Sequence, residues 1–493
     1  MKKTLKLVGI SLLSILIFSC EDSLDEIPDN RTQIDTAEKI GELLTLAYPA
    51  ATYATFLEPR TDNAEDKGPT ADEIRVNTEM FFWRDVNDVD IDFPTNYWNE
   101  AYEAIAQANQ ALASIEELGG GSELNSLKGE ALMARAYAHF MLVNIWSKTY
   151  DPTTAASDLG IPYVTEPEDI VIKDYTRGTV QEVYEKIEAD IIAGLPLVTN
   201  DYDIPKFHFN KDAANAFASR FYLFKGDWEK VIQYSNNVLG DAPATLLRDW
   251  NGAYDAFTFS EIGNEYSSTT DVSNLLIVSS NSVYFRSYAS ARYQLSASLA
   301  TSLFFNRTEI NNKRWAYPVF GNDLVFNIPK YVEYFRTTNA AAGIGIPFIN
   351  SVLLSTDEVL LNRAEAYAML GQTDMAVMDI NSFLSKKVDG YDAATDVLTI
   401  DQINTIYTVV EGIYTPFYTI EADKLGLIHA LAEFRRREFH NEGLRWFDIR
   451  RHNLEIIHED VNENESTLSK TDNRKQLQIP ADALSFGLQP NPR

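Results

Sequence analysis

The sequence contains almost no cysteine and little histidine. Cys20 is the only cysteine among 493 residues, and it follows an apolar segment near the start of the chain. A folded domain without further cysteines has no disulfide bond, no cysteine nucleophile and no thiolate ligand for a metal. The six histidines are not clustered, so the sequence predicts no zinc site.

Basic residues are also scarce. Lysine and arginine together number 42, against 72 aspartates and glutamates, which gives a formal net charge of −30. Phosphate binding needs clustered basic side chains, so nucleic acid is not an expected partner. The hydrophobic fraction of 45% and the aromatic fraction of 12% are typical of a packed globular protein.

Sequence signatures of catalysis are missing as well. There is no Gly-x-Ser-x-Gly turn, no His-Glu-x-x-His helix and no phosphate-binding glycine loop, since Gly343 to Gly345 is only a fragment of one. The acidic run from Asp85 to Asp92 offers oxygen ligands for calcium, but it lacks the glycine and distal glutamate of an EF-hand loop. A solvated acidic loop is favoured. We expect no enzyme activity, no bound metal and no cofactor.

The first twenty residues have the pattern of an export signal. Three lysines precede an apolar run from Leu7 to Phe18, and a small residue stands directly before Cys20. The run is shorter than the roughly twenty residues that a membrane-spanning helix needs. The pattern resembles the lipobox of bacterial lipoproteins, in which the cysteine is lipidated. We therefore expect a signal peptide at 1–19, lipidation of Cys20 and a solvated acidic tether at 20–35.

Apolar residues recur at helical spacing in the N-terminal half of the chain. The stripes predict a helix from Thr36 to about Leu57, a second helix from Tyr97 that Gly119 to Gly121 end, and a third from Leu124 to about Trp146. The second and third helices should form a helical hairpin.

Two later segments resemble each other and carry the strongest signal for the architecture. Ala216–Tyr234 and Asn362–Phe383 each contain a helix that leads into a glycine, Gly226 or Gly371, and then a second helix. Both segments look like tetratricopeptide helix-turn-helix units. We therefore predict a mostly α-helical fold with a tetratricopeptide-like helix-turn-helix scaffold.

The helical pattern weakens in the middle of the chain, where aromatic, asparagine, serine and threonine residues are dense. Leu275 to Val278 and Leu324 to Ile328 are short apolar runs with strand propensity. We predict a loop-rich insertion with short strands at 246–350, between helical regions at 36–245 and 351–493. Loops on a rigid scaffold are the usual place for binding surfaces.

Three sequence blocks carry a family resemblance. The first joins Trp98 to Asn109 with Leu127 to Tyr137, and the second is Arg363 to Tyr367. The third and most specific block runs from Glu433 to Arg451, and the tail from Leu477 to Pro492 completes it. Together these blocks resemble the SusD/RagB family of outer-membrane nutrient-binding lipoproteins.

The resemblance implies a function, a location and a partner. It implies a lipid-anchored protein exposed on the surface of the outer membrane, which binds oligosaccharides and delivers them to a SusC-like TonB-dependent transporter. RagB-like members bind peptides, so a peptide ligand is the alternative. A lipid-anchored glycan hydrolase is a third hypothesis, but it needs a positioned pair of carboxylates, and the sequence shows no such arrangement.

The charges of the C-terminal block are interpreted as structural. Acidic and basic side chains three or four residues apart on a helix form ion pairs. The spacing predicts pairs of Glu433 with Arg437 and of Arg445 with Asp448. An acid/base pair of Glu438 and Glu442, which are also four residues apart, is the alternative, but flanking arginines would hold both ionised.

Candidate ligand-binding residues are aromatic side chains in loops. Sugars lay their C–H faces on aromatic rings while neighbouring polar groups bind the hydroxyls. Three segments outside the helical stripes place an aromatic residue beside a polar or cationic one, and packing inside the core is the alternative for each. The candidates are Trp83, Tyr284, Arg286, Tyr288, Trp315 and Tyr317.

Overall fold

The structure is a computed structural model that describes residues 34–168, 174–322 and 324–493. The predicted signal peptide, Cys20 and most of the predicted tether lie outside these residues. Within them helices dominate the regular structure, so the prediction of a mostly α-helical fold is confirmed. None of the described helices has the length and hydropathy needed to cross a membrane.

The helices are numbered in chain order through the described residues. The α-helices are α1 (Ala37–Leu44), α2 (Ala54–Leu57), α3 (Arg75–Phe81), α4 (Pro94–Glu117), α5 (Asn125–Trp146), α6 (Val180–Gly194), α7 (Lys211–Lys225), α8 (Trp228–Leu239), α9 (Phe259–Tyr266), α10 (Tyr284–Ser287), α11 (Ala297–Ala300), α12 (Thr356–Met369), α13 (Thr373–Lys387), α14 (Ile400–Ile406), α15 (Leu425–Glu438), α16 (Leu444–Arg451) and α17 (Ala481–Ser485). Short 3-10 helices are Glu58–Arg60, Ser122–Leu124, Pro205–Phe207, Pro243–Thr245, Ala422–Lys424 and Asn473–Lys475, and a π-helical turn spans Thr301–Phe305.

The strands are short and belong to small sheets. They are β1 (Glu65–Asp66), β2 (Asn274–Asn281), β3 (Tyr293–Gln294), β4 (Phe320–Asn322), β5 (Val325–Asn327), β6 (Glu333–Asn339), β7 (Ile344–Ser355), β8 (Ile456–Glu459) and β9 (Glu465–Leu468).

The predicted helical hairpin forms from α4 and α5. Gly119, Gly120 and Gly121 connect the two helices with φ angles of 85°, 65° and 128°. Side chains with a Cβ rarely adopt such angles, so a run of glycines permits the tight reversal. Helix α5 packs on both α4 and α6, and Phe140 of α5 meets Phe217 of α7 at 5.5 Å between ring centroids.

Both predicted helix-turn-helix units also form. Helix α7 ends at Gly226, which has a φ of 74°, and leads into α8. Helix α12 is followed by Gly371, with a φ of 72°, and leads into α13. Helix α12 also packs against α8. The two units are therefore neighbours in space although an insertion separates them in sequence.

The prediction of one helix from Thr36 to about Leu57 is wrong. The chain forms α1, leaves the helical conformation, and re-enters it only at α2. Pro49 lies in the break, where it has no backbone N–H to donate. The break nevertheless lies against the core, because Tyr48 and Tyr53 are both buried.

The inserted segment is built around an antiparallel sheet in the order β2-β7-β6. The predicted strand at Leu275 to Val278 lies within β2, and the one predicted at Leu324 to Ile328 is the short strand β5, paired with β4. Strand β3 of the insertion pairs instead with β1, which belongs to the N-terminal region. This pairing holds the insertion against the N-terminal loops.

The charged C-terminal block is structural, although its pairing differs in part from the prediction. Arg437 binds Glu433 at 3.1 Å, as expected. Asp448, however, accepts hydrogen bonds from Arg435 at 2.9 Å and from Arg451 at 2.8 Å, and Arg445 binds Asp62 at 2.8 Å. The predicted pair of Arg445 with Asp448 is therefore wrong. Asp448 binds Arg435 of α15 and Arg451 of α16 instead.

The two C-terminal glutamates of the alternative acid/base hypothesis are occupied by structural contacts. Glu438 is fully buried and lies 3.0 Å from the ammonium of Lys387. Glu442 accepts hydrogen bonds from Lys330 and from the hydroxyl of Tyr266. These contacts fix both carboxylates inside the fold.

Candidate ligand-binding site

The structure buries Trp83 instead of exposing it in a loop. The side chain is 1% exposed, its indole N–H donates to the carbonyl of Arg60 at 3.0 Å, and its ring stacks on His458 at 4.5 Å. The backbone at Trp83 has a φ of 52°, which turns the loop after α3 towards the core. Trp83 therefore does not form an exposed stacking surface in this structure.

Trp315 and Tyr317 are also packed inside the protein. Trp315 lies against the ring of Phe434 at 6.2 Å, and the guanidinium of Arg437 covers its ring at 5.0 Å. The hydroxyl of Tyr317 donates to Glu438 at 2.9 Å. Both aromatic residues attach the insertion to helix α15. They are therefore packing residues of the core and not exposed binding residues.

The third predicted segment lies at a cavity. Tyr284 and Tyr288 are each 2% exposed and pack with Tyr331. Arg286 is largely exposed and binds Glu333 at 2.6 and 2.7 Å. Of the six predicted residues, Tyr284 and Arg286 line this cavity, and the other four lie outside its lining.

The cavity measures about 330 Å³ and lies between the N-terminal loops and the insertion. Its walls come from four parts of the chain that the fold brings together, namely Thr55 of α2, the start of α3, the end of the loop before α4, and the chain around α10 and β3. The lining residues are Thr55, Ile74, Arg75, Val76, Asn77, Ile91, Asp92, Phe93, Val283, Tyr284, Arg286, Ser287, Ala291 and Gln294.

Asn77 fixes the insertion beside α3. Its side-chain amide donates to the carbonyl of Tyr293 at 2.8 Å and accepts from the backbone N–H of the same residue at 3.0 Å. A buried amide with donor and acceptor both satisfied holds a rigid position. The neighbouring Gln294 is thereby held at the wall of the cavity.

Asp92 joins the same two parts of the chain. Its carboxyl accepts hydrogen bonds from the hydroxyl of Ser282 at 2.6 Å and from the backbone N–H of Val283 at 2.9 Å. Burial raises the pKa of Asp92 to about 6, and these two hydrogen bonds only partly oppose the effect. Asp92 is the carboxyl group in the lining of the cavity.

Phe93 supplies a half-buried aromatic surface at the cavity. The guanidinium of Arg75 lies 5.5 Å from its ring and is itself bound to Asp88. An aromatic ring beside a cation and polar groups is the arrangement expected of a sugar-binding surface.

Two buried polar atoms at the cavity have unused hydrogen-bonding capacity. The hydroxyl of Tyr284 and Oε1 of Gln294 are both buried, and neither makes a hydrogen bond of ordinary geometry within the described structure. Leaving such atoms buried and unsatisfied is unfavourable. Both side chains line the cavity.

A larger cavity of about 760 Å³ lies between the sheet and the helices α1 and α4. Tyr48, Phe335 and Phe348 are among its lining residues. None of the buried side-chain atoms that lack a hydrogen-bond partner in the described residues belongs to its lining. We therefore regard the smaller cavity as the better candidate for a specific site.

Sequence reasoning missed Asp92, Phe93 and Gln294. Asp92 ends the acidic run that the sequence predicts to be a solvated loop, and Phe93 stands directly before α4. In the structure Asp85 binds Arg493 and Asp88 binds Arg75, so the acidic side chains diverge. Among the described residues no three His, Cys, Asp or Glu side chains converge on a possible metal position.

The observed fold is an α-helical scaffold of tetratricopeptide-like helix pairs with an inserted sheet. Residues 22–223 match a SusD-like family described as starch-binding and associating with the outer membrane, and residues 320–483 match the SusD family. The two matches together cover most of the chain, which therefore belongs to the SusD/RagB family. No curated protein matches the chain.

Solved structures of the SusD superfamily share the fold. One from Bacteroides thetaiotaomicron is 19% identical with a TM-score of 0.66, and the alignment covers 94% of this chain and 100% of that chain. One from Bacteroides vulgatus is 18% identical with a TM-score of 0.67, covering 92% and 97%. A putative sugar-binding protein from Bacteroides vulgatus is 20% identical with a TM-score of 0.65, covering 94% and 99%.

The two family matches do not include the whole candidate site. Thr55 and the segment 74–93 lie in the first match, whereas the segment 283–294 lies between the two matches. The insertion half of the cavity therefore lies outside both family matches.

Proposed function

We propose that this protein is a non-enzymatic lipoprotein of the outer membrane that binds an oligosaccharide at the cavity beside Phe93. The observation that carries the proposal is the combination of a half-buried aromatic ring with buried, unsatisfied polar atoms of Tyr284 and Gln294. Family membership supports a nutrient-binding role, and a sugar-binding structural relative has the same fold.

The chemistry of the cavity suits a sugar. A pyranose ring places its C–H face on Phe93. A turn of the Gln294 and Tyr284 side chains towards the cavity then lets the sugar hydroxyls hydrogen-bond to Oε1 and to the phenol. Arg75 and Arg286 line the same cavity and offer further donors. The volume of about 330 Å³ falls within the range of roughly 300 to 1,000 Å³ that is usual for small-molecule sites.

The same geometry argues for binding without hydrolysis. Glycosidases use two carboxyl groups on either side of the scissile bond, and Asp92 is the one acidic residue in the described lining. Its carboxyl is already held by Ser282 and Val283. The bound oligosaccharide should therefore leave the cavity unchanged.

The test of the site is a calorimetric titration of the mature protein with malto-oligosaccharides and other neutral oligosaccharides. Phe93→Ala should weaken binding by about 1 to 3 kcal/mol, the size of stacking on an aromatic side chain. Phe305→Ala is the matched control, because Phe305 is 48% exposed and lies outside the cavity lining. Equal affinity in the two variants would exclude Phe93 from the site.

Tyr284→Phe and Tyr288→Phe provide a second comparison. Both hydroxyls are buried without an ordinary hydrogen bond in the described structure, but only Tyr284 lines the cavity. Tyr284→Phe should weaken binding by about 0.5 to 1.5 kcal/mol, and Tyr288→Phe should leave it unchanged. Short peptides are titrated in parallel. Binding of peptides without binding of sugars would favour the peptide alternative, and cleavage of the oligosaccharide would contradict a non-enzymatic function.

The proposed location and partner rest on the sequence and on family membership. Lipidation of Cys20 would anchor the protein at the cell surface, where it delivers its ligand to a SusC-like TonB-dependent transporter. Cys20→Ala should release a folded protein from the outer-membrane fraction. Gentle detergent extraction of the unmodified protein should recover the transporter with it. Firm membrane attachment of the variant, or recovery of the free monomer alone, would contradict these two parts of the proposal.

A further inference from the structure

A second cavity of about 350 Å³ lies on another part of the molecule, beside the end of α5 and the loops that follow α16 and β9. Its lining contains several basic side chains, although the whole chain carries a net charge of −30. The basic lining residues are Lys148, Arg450, Arg451, Lys470 and Lys475.

Arg450 is a buried cation whose hydrogen bonds go to neutral groups. Its two terminal nitrogens donate to the backbone carbonyls of Asn144 and Ser147, and its Nε has no hydrogen-bond partner within the described structure. Burial lowers the pKa of Arg450 to about 10, and the nearby hydroxyl of Tyr184 opposes this effect. Among the described residues no carboxylate forms an ion pair with this guanidinium.

Lys475 and Lys470 also donate to uncharged oxygen atoms. Lys475 Nζ donates to Asn453 Oδ1 at 3.0 Å, to the carbonyl of Leu454 at 2.7 Å and to the carbonyl of Lys470 at 3.2 Å. Lys470 Nζ donates to the carbonyls of Gly412 and Ile413 and to the hydroxyl of Thr415 at 3.1 Å. Both ammonium groups thus meet neutral oxygen atoms at one wall of the cavity.

The acidic residues of the lining bind groups other than Arg450, Lys470 and Lys475. Asp158 binds Lys148 at 2.6 Å, and Asp472 binds Arg474 at 2.6 Å. Asp151 accepts hydrogen bonds from the backbone and the hydroxyl of Thr153. Three cations therefore surround the cavity without a carboxylate in direct contact with any of them in the described structure.

We propose that this cavity binds an oxyanion, carried as a carboxylate, sulfate or phosphate group, through Arg450, Lys470 and Lys475. Gathering uncompensated cations in a partly buried space is unfavourable. An anion would take the place of some of the neutral acceptors and form stronger, charge-assisted hydrogen bonds with the lysines. The site is independent of the proposed sugar site beside Phe93.

The rest of the lining is compatible with an anion borne by a sugar. Tyr150 and Phe417 contribute aromatic edges, with their rings 6.0 Å apart, and Thr415 contributes a hydroxyl. An acidic sugar would place its ring against these groups and its charge against the lysines. A free inorganic anion would use the lysines and Arg450 alone.

The experiment is a calorimetric titration of the mature chain with sodium sulfate, phosphate and glucuronate at constant ionic strength set with chloride. Glucose serves as the uncharged control. Lys470→Gln and Lys475→Gln should each weaken anion binding by about tenfold or more. Lys211→Gln makes the same change of charge at an exposed position outside the cavity and should have no effect.

Thermal melts check that the variants fold and add a second measurement. Sulfate stabilises proteins generally, so the comparison is its effect on Tm relative to that in Lys211→Gln. A smaller rise in Lys470→Gln and Lys475→Gln supports the site. Stronger binding of glucuronate than of the inorganic anions assigns the site to an acidic sugar, and the reverse order assigns it to a free anion.

The proposal fails if none of the anions binds, or if the three lysine variants weaken binding equally. Titration with neutral oligosaccharides on the Phe93→Ala and Phe305→Ala variants is unaffected by that outcome. Failure of the anion site is therefore distinguishable from failure of the proposed function.

Discussion

Tyr317 donates a hydrogen bond to Glu438 across 2.9 Å, and both side chains are buried. The bond joins the inserted segment to the last turn of α15. Lys387 and Trp250 also bind the same carboxylate, at 3.0 Å and about 3.3 Å. Tyr317, a candidate ligand-binding residue in the sequence, is thus part of the contact that holds the insertion in place.

Tyr317→Phe should lower the free energy of unfolding by about 1.5 to 3 kcal/mol, the usual contribution of a hydrogen bond to a charged group. The affinity for oligosaccharide should not change, because Tyr317 lies outside the cavity lining. Tyr288→Phe is the control, since the hydroxyl that it removes is buried without a partner in the described residues. Chemical denaturation of both variants measures the difference, and equal stability would contradict the structural role of Tyr317.

Trp83→Ala should lower the free energy of unfolding by about 3 to 5 kcal/mol, as expected for a large aromatic side chain removed from a core. The change removes the stacking on His458 and the hydrogen bond to the carbonyl of Arg60. Thermal and denaturant melts give the stability, and titration gives the affinity. A variant with unchanged stability and lost affinity would restore Trp83 as a ligand-binding residue.

Asp92 should make stability depend on pH. Its pKa is about 6 in the folded protein against 3.8 for the ordinary group, so the folded state keeps a proton that the unfolded chain loses in this range. The contribution of Asp92 to the free energy of unfolding should therefore fall as pH rises from about 4 to 6, by about 3 kcal/mol in total, and then level off.

The comparison with Asp92→Asn isolates this effect, because the amide does not titrate. The stability of the unmodified protein minus that of the variant should fall across pH 4 to 6. Asp460→Asn is the control, since hydrogen bonds from Asn464 lower the pKa of that exposed carboxyl. Its difference curve should not fall over the same range. A flat curve for Asp92→Asn would show that Asp92 titrates normally.

Anion binding at the second cavity should weaken as pH rises through about 8. Burial lowers the pKa of Lys475 to about 8, and Arg450 and Lys470 lower it further, while Asp472 and Glu455 oppose them. Deprotonation removes one of the cations that contact the anion. Titration of sulfate at pH 7 and pH 9 measures the loss, and Lys475→Gln should show a smaller dependence on pH over this interval. Equal dependence in both proteins would contradict the role of Lys475.

Most of the helical scaffold, apart from the break between α1 and α2, can be predicted from the sequence because helix formation depends on local spacing. Gly226 and Gly371 end helices in both repeated units, and the glycines at 119–121 reverse the chain between α4 and α5. Each of these features depends on about twenty neighbouring residues. The block from Glu433 to Arg451 is likewise a continuous stretch of sequence, and it carries the most specific resemblance to the family.

Which aromatic residues line the cavity depends on the tertiary structure. Trp83 and Phe93 both lie near loops, and the sequence favours Trp83, but His458 stacks on Trp83 while Phe93 is half-buried at the cavity. Asn77 and Tyr293, which build the cavity together, are 216 residues apart. Local patterns cannot determine such pairings, because burial depends on which distant segments pack together, and that is settled by the fold as a whole.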